Sequence, residues 1–176
     1  MLRDYRFVPV TRSDFPLIAT WLSHPHIGGW WGPADRELAL IDNDLKLDLD
    51  QGRTDMRMVW LDGVPFAYVQ DRNVHHEGIP QYAHLPAGSR AMDTFLGDPA
   101  YLGQGHAPGY LRARAGELIA AGAPCVAVDP DPANLKAVSA YEKAGFAGET
   151  ITQGEQATPV RVMTFHGGQA PGRTTT

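Results

Sequence analysis

Two glycines flank Gln104 directly before a helical pattern, and this junction limits what the chain can fold into. The segment reads Leu102-Gly103-Gln104-Gly105-His106-Ala107, and the helical pattern covers residues 108–121. Glycine costs conformational entropy, so a pair of them indicates a turn with an unusual backbone conformation. The start of a helix carries free N–H groups and a partial positive charge, which bind anions. The junction therefore predicts either a pyrophosphate cradle or a plain strand-to-helix turn.

That junction does not match two common nucleotide-binding motifs. The dinucleotide fingerprint G-x-G-x-x-G needs a third glycine where Pro108 stands, and Gly109 comes one residue too late. The sequence also lacks the G-K-[ST] ending of the phosphate loop found in nucleotide hydrolases. Nucleotide hydrolysis therefore has no support in this chain.

Hydrophobic periodicity and turn residues predict an α/β chain, of the α+β kind, with a mixed and mostly antiparallel sheet flanked by helices. Strands are predicted at residues 5–10, 91–96, 124–128, 149–152 and 160–165, and a hairpin at 54–71 around Asp62-Gly63. Helices are predicted at residues 11–22, with Ser13 or Asp14 as the cap, and at 35–49, 108–121 and 134–144. We expect one domain over residues 1–166 and a flexible tail over residues 167–176.

Composition narrows the class of partner. The 176 residues carry a net charge of −5, which disfavours nucleic acid and is compatible with a cationic substrate. No run of eighteen apolar residues and no leader pattern is present, so we expect a cytoplasmic protein without membrane contact. The histidines lack a metal-ligand spacing, and we expect no metal. The single cysteine, Cys125, lies in an apolar run and is expected to be a small core residue.

The second half of the chain adds a pattern that distinguishes the two interpretations of the glycine junction. The segment "DPDPANLKAVSAYEKAGF" follows the junction, and together they resemble the GNAT superfamily of acetyl-coenzyme A-dependent N-acetyltransferases. The phosphate-loop pattern of that family is Q/R-x-x-G-x-G/A, and this chain has Leu102, Gly105 and Ala107, so Leu102 departs from it. The resemblance implies the GNAT fold and a coenzyme held by Leu102, Gly103, Gln104, Gly105, His106, Ala107, Asn134, Ala137 and Tyr141.

Within that superfamily the chain is most similar to the aminoglycoside 6′-N-acetyltransferases. The similarity lies in "HIGGWWGP", "MDTFLGDPAYLGQGHA" and "DPDPANLKAVSAYEKAGF". It implies that Asp93 is the general base and Tyr141 the general acid. It also implies that Trp30 and Trp31 form a substrate-contacting loop and that Asp129 meets substrate ammonium groups.

Elementary acid–base chemistry suits Tyr141 better than Asp93. A phenol with a pKa of about 10 is protonated at neutral pH and can give its proton to a departing thiolate of pKa about 8.5. A carboxylate with a pKa of about 3.9 is a poor base toward an ammonium group. Asp93 must therefore be desolvated, act through water, or only hold the ammonium group. The alternatives without a catalytic role are that Tyr141 is an aromatic residue of the core and that Asp93 is a solvated carboxylate at the end of a strand.

The expected function is acetyl transfer from acetyl-CoA directly to a primary amine of a small molecule. Residues 77–93 contain only Glu77 before Asp93, so this region offers an aminoglycoside little negative charge. A siderophore-biosynthesis acyltransferase acting on hydroxylysine and a non-catalytic acyl-CoA-binding module remain as alternatives. The sequence fixes neither the acceptor, the acyl length nor the oligomeric state.

Overall fold

The computed structural model of the chain describes residues 2–48 and 52–167. The strands of this part are Arg6–Pro9 (β1), Asp55–Leu61 (β2), Val64–Asn73 (β3), Arg90–Leu96 (β4), Val126–Val128 (β5), Ala147–Gln153 (β6) and Pro159–Phe165 (β7). Its α-helices are Phe15–Leu22 (α1), Ala34–Leu45 (α2), His106–Ala120 (α3) and Leu135–Ala144 (α4). Of the predicted tail, residues 168–176 lie outside the described part.

The strands form one sheet in the order β1-β2-β3-β4-β5-β7-β6. In the part of the chain that the structure describes, β4 and β5 pair in parallel and every other pair is antiparallel. The predicted mixed, mostly antiparallel sheet is thus confirmed. The hairpin is confirmed as well, because Asp62 and Gly63 have φ values of 50° and 80° at its turn, which suits the twist of the flanking strands.

Helices cover both faces of this sheet, because successive side chains of a strand point to opposite faces. On one face Val69 and Met92 form a core with Leu111 of α3 and Tyr141 of α4. On the other face a second core contains Met56, Met58, Tyr68 and Phe95 together with Ile18 of α1 and Ile41 of α2. Helices α3 and α4 thus cover one face of the sheet, and helices α1 and α2 cover the other.

The central strands β4 and β5 separate soon after they meet. Their pairing is confined to Arg90 with Val126 and Ala91 with Ala127, although β4 continues to Leu96. Beyond Ala91, β4 is paired only with β3 on its other edge. The gap between the two strands is the structural origin of the clefts described below.

Several element boundaries differ from the predicted ones for local reasons. Helix α2 ends at Leu45, short of the predicted residue 49, which lies outside the described part. Helix α3 begins at His106, two residues before the predicted start, because Gly105 adopts a left-handed conformation at the cap. Asp14 precedes α1 but does not cap it with its side chain; its carboxylate accepts from Thr11 N at 2.8 Å. No helix of residues 2–48 and 52–167 is long and apolar enough to span a membrane.

Candidate active site

Asp93 lies on β4 at the point where β5 has turned away. It is directly opposite Gln70 of β3, and its side chain is partly buried. Desolvation and, second, the charge of Asp129 raise the pKa of Asp93 to about 6, while Arg72 and Gln70 act in the opposite direction. A carboxylate with this pKa is a far better proton acceptor than an ordinary aspartate.

Asp129 is the second carboxylate of the site and follows β5 directly. Because Ala91 pairs with Ala127, Asp93 and Asp129, each two residues further on, lie on the same face of the sheet. Burial raises the pKa of Asp129, and hydrogen bonds from Gln81 and Tyr82 oppose this. The Gln81 Nε2 donor is 2.9 Å from Asp129 Oδ2, so one carboxylate oxygen is fixed by the protein.

Tyr141 approaches the same place from α4. Its side chain is 7% exposed, and its ring packs edge-on to Phe146 with centroids 5.6 Å apart. Burial and the charge of Asp93 raise the pKa of Tyr141 well above its usual value. Its hydroxyl makes no hydrogen bond to any side chain or backbone group that the structure describes. The phenol is therefore protonated and free to donate to a ligand.

A polar cleft of about 520 Å³ contains the two carboxylates and the tyrosine. Its residues come from the loop before α2, from α2 itself, from β3 and β4, from the segment after β5, from α4 and from the turn between β6 and β7. Its lining residues are Gly29, Trp30, Trp31, Gly32, Arg36, Glu37, Gln70, Asp93, Thr94, Asp129, Pro130, Asp131, Asn134, Ala137, Tyr141 and Gln156. We call it the acceptor cleft.

A more apolar cleft of about 200 Å³ adjoins the acceptor cleft and is lined by residues of β4, α3 and α4 and by the loop after α1. Leu102, Ala107, Lys136 and Ala140 line this cleft and not the acceptor cleft. The two clefts share Trp30, Trp31, Thr94, Asn134, Ala137 and Tyr141. We call the second one the donor cleft. Two molecules bound in these clefts would meet beside Thr94 and Tyr141.

The glycine junction forms the turn into α3. Gly103 and Gly105 have φ values of 71° and 74°, which an L-residue rarely adopts, and Gly105 is the N-cap of α3. Within the described residues, the backbone N–H groups from Gly103 to Ala107 make no hydrogen bond. A run of unpaired N–H groups at a helix start is a binding surface for an anion.

The side chains of Gln104 and His106 in that loop have structural roles rather than a place in either cleft. Gln104 Nε2 donates to Ala100 O at 2.6 Å, and His106 is buried beside Tyr5. Leu102 is 43% exposed and lines the donor cleft. The predicted contribution of Gln104 and His106 to coenzyme binding can therefore come only from their backbone.

Asn134 is positioned by its own helix. Its Oδ1 accepts from the backbone N–H of Ala137 at 3.2 Å and caps α4, which is a usual role of asparagine at a helix start. Both residues line both clefts. Their predicted contact with coenzyme would thus fall where the two clefts join.

The two adjacent tryptophans have different environments. Trp31 packs edge-on against Phe95 and Tyr68, with centroid distances of 4.9 and 6.1 Å, so it closes the second core. Trp30 is 48% exposed and lines both clefts. Both tryptophans line both clefts, and Trp30 is the more exposed of the two.

Sequence reasoning missed several lining residues. Glu37 contributes a carboxylate from α2, and its Oε1 accepts from the N–H of Gly32 at 3.1 Å. Gln70 accepts a 2.7 Å hydrogen bond from Tyr68 and stands opposite Asp93. Asp131 and Thr94 complete this set. In the sequence, Glu37 is recognisable only as an acidic residue in the first turn of a helix. Such a residue indicates a favourable interaction with the helix dipole and does not by itself indicate ligand binding.

The remaining candidates do not contribute to either cleft. Cys125 is fully buried, and its Sγ donates to Ser89 Oγ at 3.2 Å, as expected of a core residue. Across the described residues, no group of three or more His, Cys, Asp or Glu side chains is placed to hold a metal ion. Among the residues that line the acceptor cleft, Asp93, Asp129 and Tyr141 are those with raised pKa values.

Comparison with known proteins decides what this arrangement is. A family profile described as an acetyltransferase (GNAT) domain matches residues 10–153. The chain belongs to the GNAT acetyltransferase family. The aminoglycoside N(6′)-acetyltransferase type 1 of Klebsiella pneumoniae is 30% identical over 150 residues, which cover 81% of this chain and 74% of that protein.

Solved structures agree with the assignment to GNAT. The acetyltransferase AAC(6′)-Ib in complex with coenzyme A superposes with a TM-score of 0.77 at 25% identity, covering 93% of this chain and 95% of that one. Its complex with ribostamycin and coenzyme A gives 0.76 at 27% identity, covering 92% of each chain. The predicted GNAT fold is confirmed. The protein is an acetyl-CoA-dependent N-acetyltransferase that acts on an amine.

Proposed function

We propose that this protein acetylates a primary amine of an aminoglycoside or a closely similar polycationic sugar, by direct transfer in the joined clefts. The supporting observation is the charge of the acceptor cleft. Four carboxylates line it, those of Glu37, Asp93, Asp129 and Asp131, against the single guanidinium of Arg36. Low-dielectric walls strengthen the attraction of such a cleft for a cation carrying several amines. Residues 77–93 contain few acidic residues, and most carboxylates of the cleft are instead contributed by Glu37 on α2 and by Asp129 and Asp131 after β5.

On the donor side, the unpaired N–H groups from Gly103 to Ala107 would hold the pyrophosphate of acetyl-CoA. The edge of β4 that faces the gap would polarise the thioester. Arg90 N donates toward β5 and Gly97 N toward β3, so the alternation of a strand aims the N–H of Thr94 into the gap. A backbone N–H at this place can stabilise the negative charge that develops on the thioester oxygen.

Proton transfer would then divide between two groups. Asp93, with its pKa near 6, takes the proton from the attacking amine, directly or through one water, and Asp129 balances the charge of the remaining ammonium groups. The amine nitrogen attacks the thioester carbon, the C–S bond breaks, and Tyr141 donates its proton to the departing thiolate. The products are an N-acetyl amide and free coenzyme A.

A pair of acceptors that differ in one group tests this function. Neomycin carries an amine at its 6′ carbon, and paromomycin carries a hydroxyl there. Thiol release from acetyl-CoA should be rapid with neomycin and at least about 100-fold slower with paromomycin, because an alcohol offers no amine to the Asp93 side of the cleft. Equal rates with both, or faster turnover of hydroxylysine or spermidine than of neomycin, would reject the 6′-amine assignment.

Gly105→Val should weaken coenzyme A binding about 10- to 30-fold in calorimetry. Valine is strained at a φ of 74°, so the loop would adopt another conformation and lose its aligned N–H groups. Gly63→Val is the matched control, since Gly63 has a φ of 80° in an open hairpin turn. It should lose stability without losing coenzyme affinity. Parent-like affinity in Gly105→Val would place the pyrophosphate elsewhere.

Trp30→Ala should raise the KM for the acceptor about 3- to 10-fold and raise the Kd for coenzyme A by a smaller factor, because Trp30 also lines the donor cleft. The exposed indole offers a face to a sugar ring or an ammonium group, an interaction of about 1 kcal/mol. Steady-state kinetics with neomycin measure the first value and calorimetry the second. An unchanged KM would remove Trp30 from the acceptor site.

A further inference from the structure

Arg3, in the segment before β1, contacts the glycine loop about one hundred residues further along the chain. Its Nη1 donates to the backbone oxygen of Gln104 at 2.8 Å, and the same nitrogen is 3.2 Å from His106 Nδ1. Arginine has no acceptor atom, so His106 Nδ1 is the acceptor and carries no proton. Burial, followed by the charge of Arg3, lowers the pKa of His106, in keeping with a neutral ring.

The contact with Gln104 acts on the peptide that precedes Gly105. The C=O of Gln104 and the N–H of Gly105 belong to one planar trans unit and point in opposite directions. Because Arg3 holds that oxygen, the N–H of Gly105 points away from Arg3. Arg3 Nη1 would lie 4.0 Å from a Cβ on Gly105, so the guanidinium also brings a positive charge close to the loop.

Tyr5 continues this contact into the core. Its hydroxyl lies 3.1 Å from His106 Nδ1, and its ring packs edge-on to His106 and Tyr110 with centroids 6.1 and 6.2 Å apart. The aromatic group beneath the loop is therefore fixed, while Arg3 itself lies at the surface. Removing the Arg3 side chain would free the Gln104–Gly105 peptide without opening the core.

We propose that Arg3 is a positioning residue for the coenzyme: by holding the oxygen of Gln104 it fixes the Gln104–Gly105 peptide, whose N–H would donate to the pyrophosphate. The proposal rests on the proposed pyrophosphate site in this loop. Its ligand chemistry is a doubly charged pyrophosphate, which binds best to N–H groups that are already aligned.

Arg3→Gln should weaken coenzyme A binding about tenfold in calorimetry, since one charge-assisted contact and the alignment of one N–H group are lost. Arg3→Lys keeps the charge and one donor, and should bind within about threefold of the parent. Arg6→Gln is the matched control, because Arg6 is an exposed arginine three residues away whose side chain makes no hydrogen bond to the loop in the described part of the chain. It should retain the parent affinity.

Pantetheine, which lacks the pyrophosphate, separates positioning from a general structural effect. Its stabilisation of the melting temperature at millimolar concentration should be the same in the parent and in Arg3→Gln. Parent-like coenzyme A affinity in Arg3→Gln, equal losses in Arg3→Gln and Arg6→Gln, or a parallel loss for pantetheine would each overturn the proposal. Failure of the parent itself to bind coenzyme A would instead contradict the proposed pyrophosphate site.

Discussion

Tyr141→Phe should lower kcat about 10- to 1000-fold while the Kd for coenzyme A stays within about twofold of the parent. Of the two hydroxyls that both clefts share, that of Thr94 is hydrogen-bonded to Tyr68 and Tyr110, and that of Tyr141 has no partner among the described residues. The ring packs against Phe146, and phenylalanine keeps this contact. Steady-state kinetics with neomycin and calorimetry with coenzyme A measure the two quantities.

Tyr101→Phe is the control for Tyr141→Phe. Tyr101 stacks on Phe66 with centroids 4.6 Å apart and lines neither cleft, so the loss of its hydroxyl should not change kcat. If Tyr141→Phe instead keeps the parent kcat, another group protonates the thiolate. If it loses coenzyme binding and melts at a lower temperature, the role of Tyr141 is structural.

Asp93→Asn should lower kcat/KM about 100-fold or more at pH 8. In the parent, kcat/KM should decrease as the pH falls below 6, because the pKa of Asp93 is about 6 and only the ionised form accepts a proton. This limb should be absent in the variant. A large rise in KM with unchanged kcat would assign Asp93 to ammonium binding, and an unaltered profile would exclude it as the base.

The same substitution should raise the melting temperature at pH 8. The folded-state pKa of Asp93 lies above its ordinary value of 3.8, so the folded state binds the proton more tightly. The contribution of this group to stability is present below pH 3.8 and is lost as the pH rises through 6. Asparagine carries no charge to desolvate beside Asp129. The control is Asp62→Asn in the exposed hairpin turn, which should change neither activity nor melting temperature. A lower melting temperature in Asp93→Asn would contradict the desolvation of Asp93.

The sequence predicted the parts of this site that depend on local backbone needs. Gly103 and Gly105 were expected to require an unusual conformation, and both have positive φ. The predicted end of a helix at residue 144 is confirmed, and Gly145 caps α4 with a φ of 106°. Such residues are predictable because glycine is favoured wherever an L-side chain would clash, whatever the surrounding fold.

The parts that depend on long-range packing were not predictable. Glu37 lies near Asp93 only because α2 covers the face of β3 that carries Gln70, and no local pattern encodes that distance. Arg3 reaches Gln104 only because β1 occupies one edge of the sheet order. The pKa of Asp93 is likewise raised by burial and by the charge of Asp129. Both effects depend on the parallel register of β4 and β5. The roles of Asp93 and Tyr141 are implied by the resemblance, and the substitutions Asp93→Asn and Tyr141→Phe test them.

The joined clefts are the central claim, and a conjugate that occupies both tests it most directly. In this conjugate coenzyme A is linked through its sulfur and an acetyl bridge to the 6′ nitrogen of neomycin. If the donor and acceptor clefts meet beside Thr94 and Tyr141, the conjugate should bind at least about 100-fold more tightly than coenzyme A, because its second half binds as an intramolecular event. A Kd no lower than that of coenzyme A would show that the two molecules do not meet there, and would contradict direct transfer in this site.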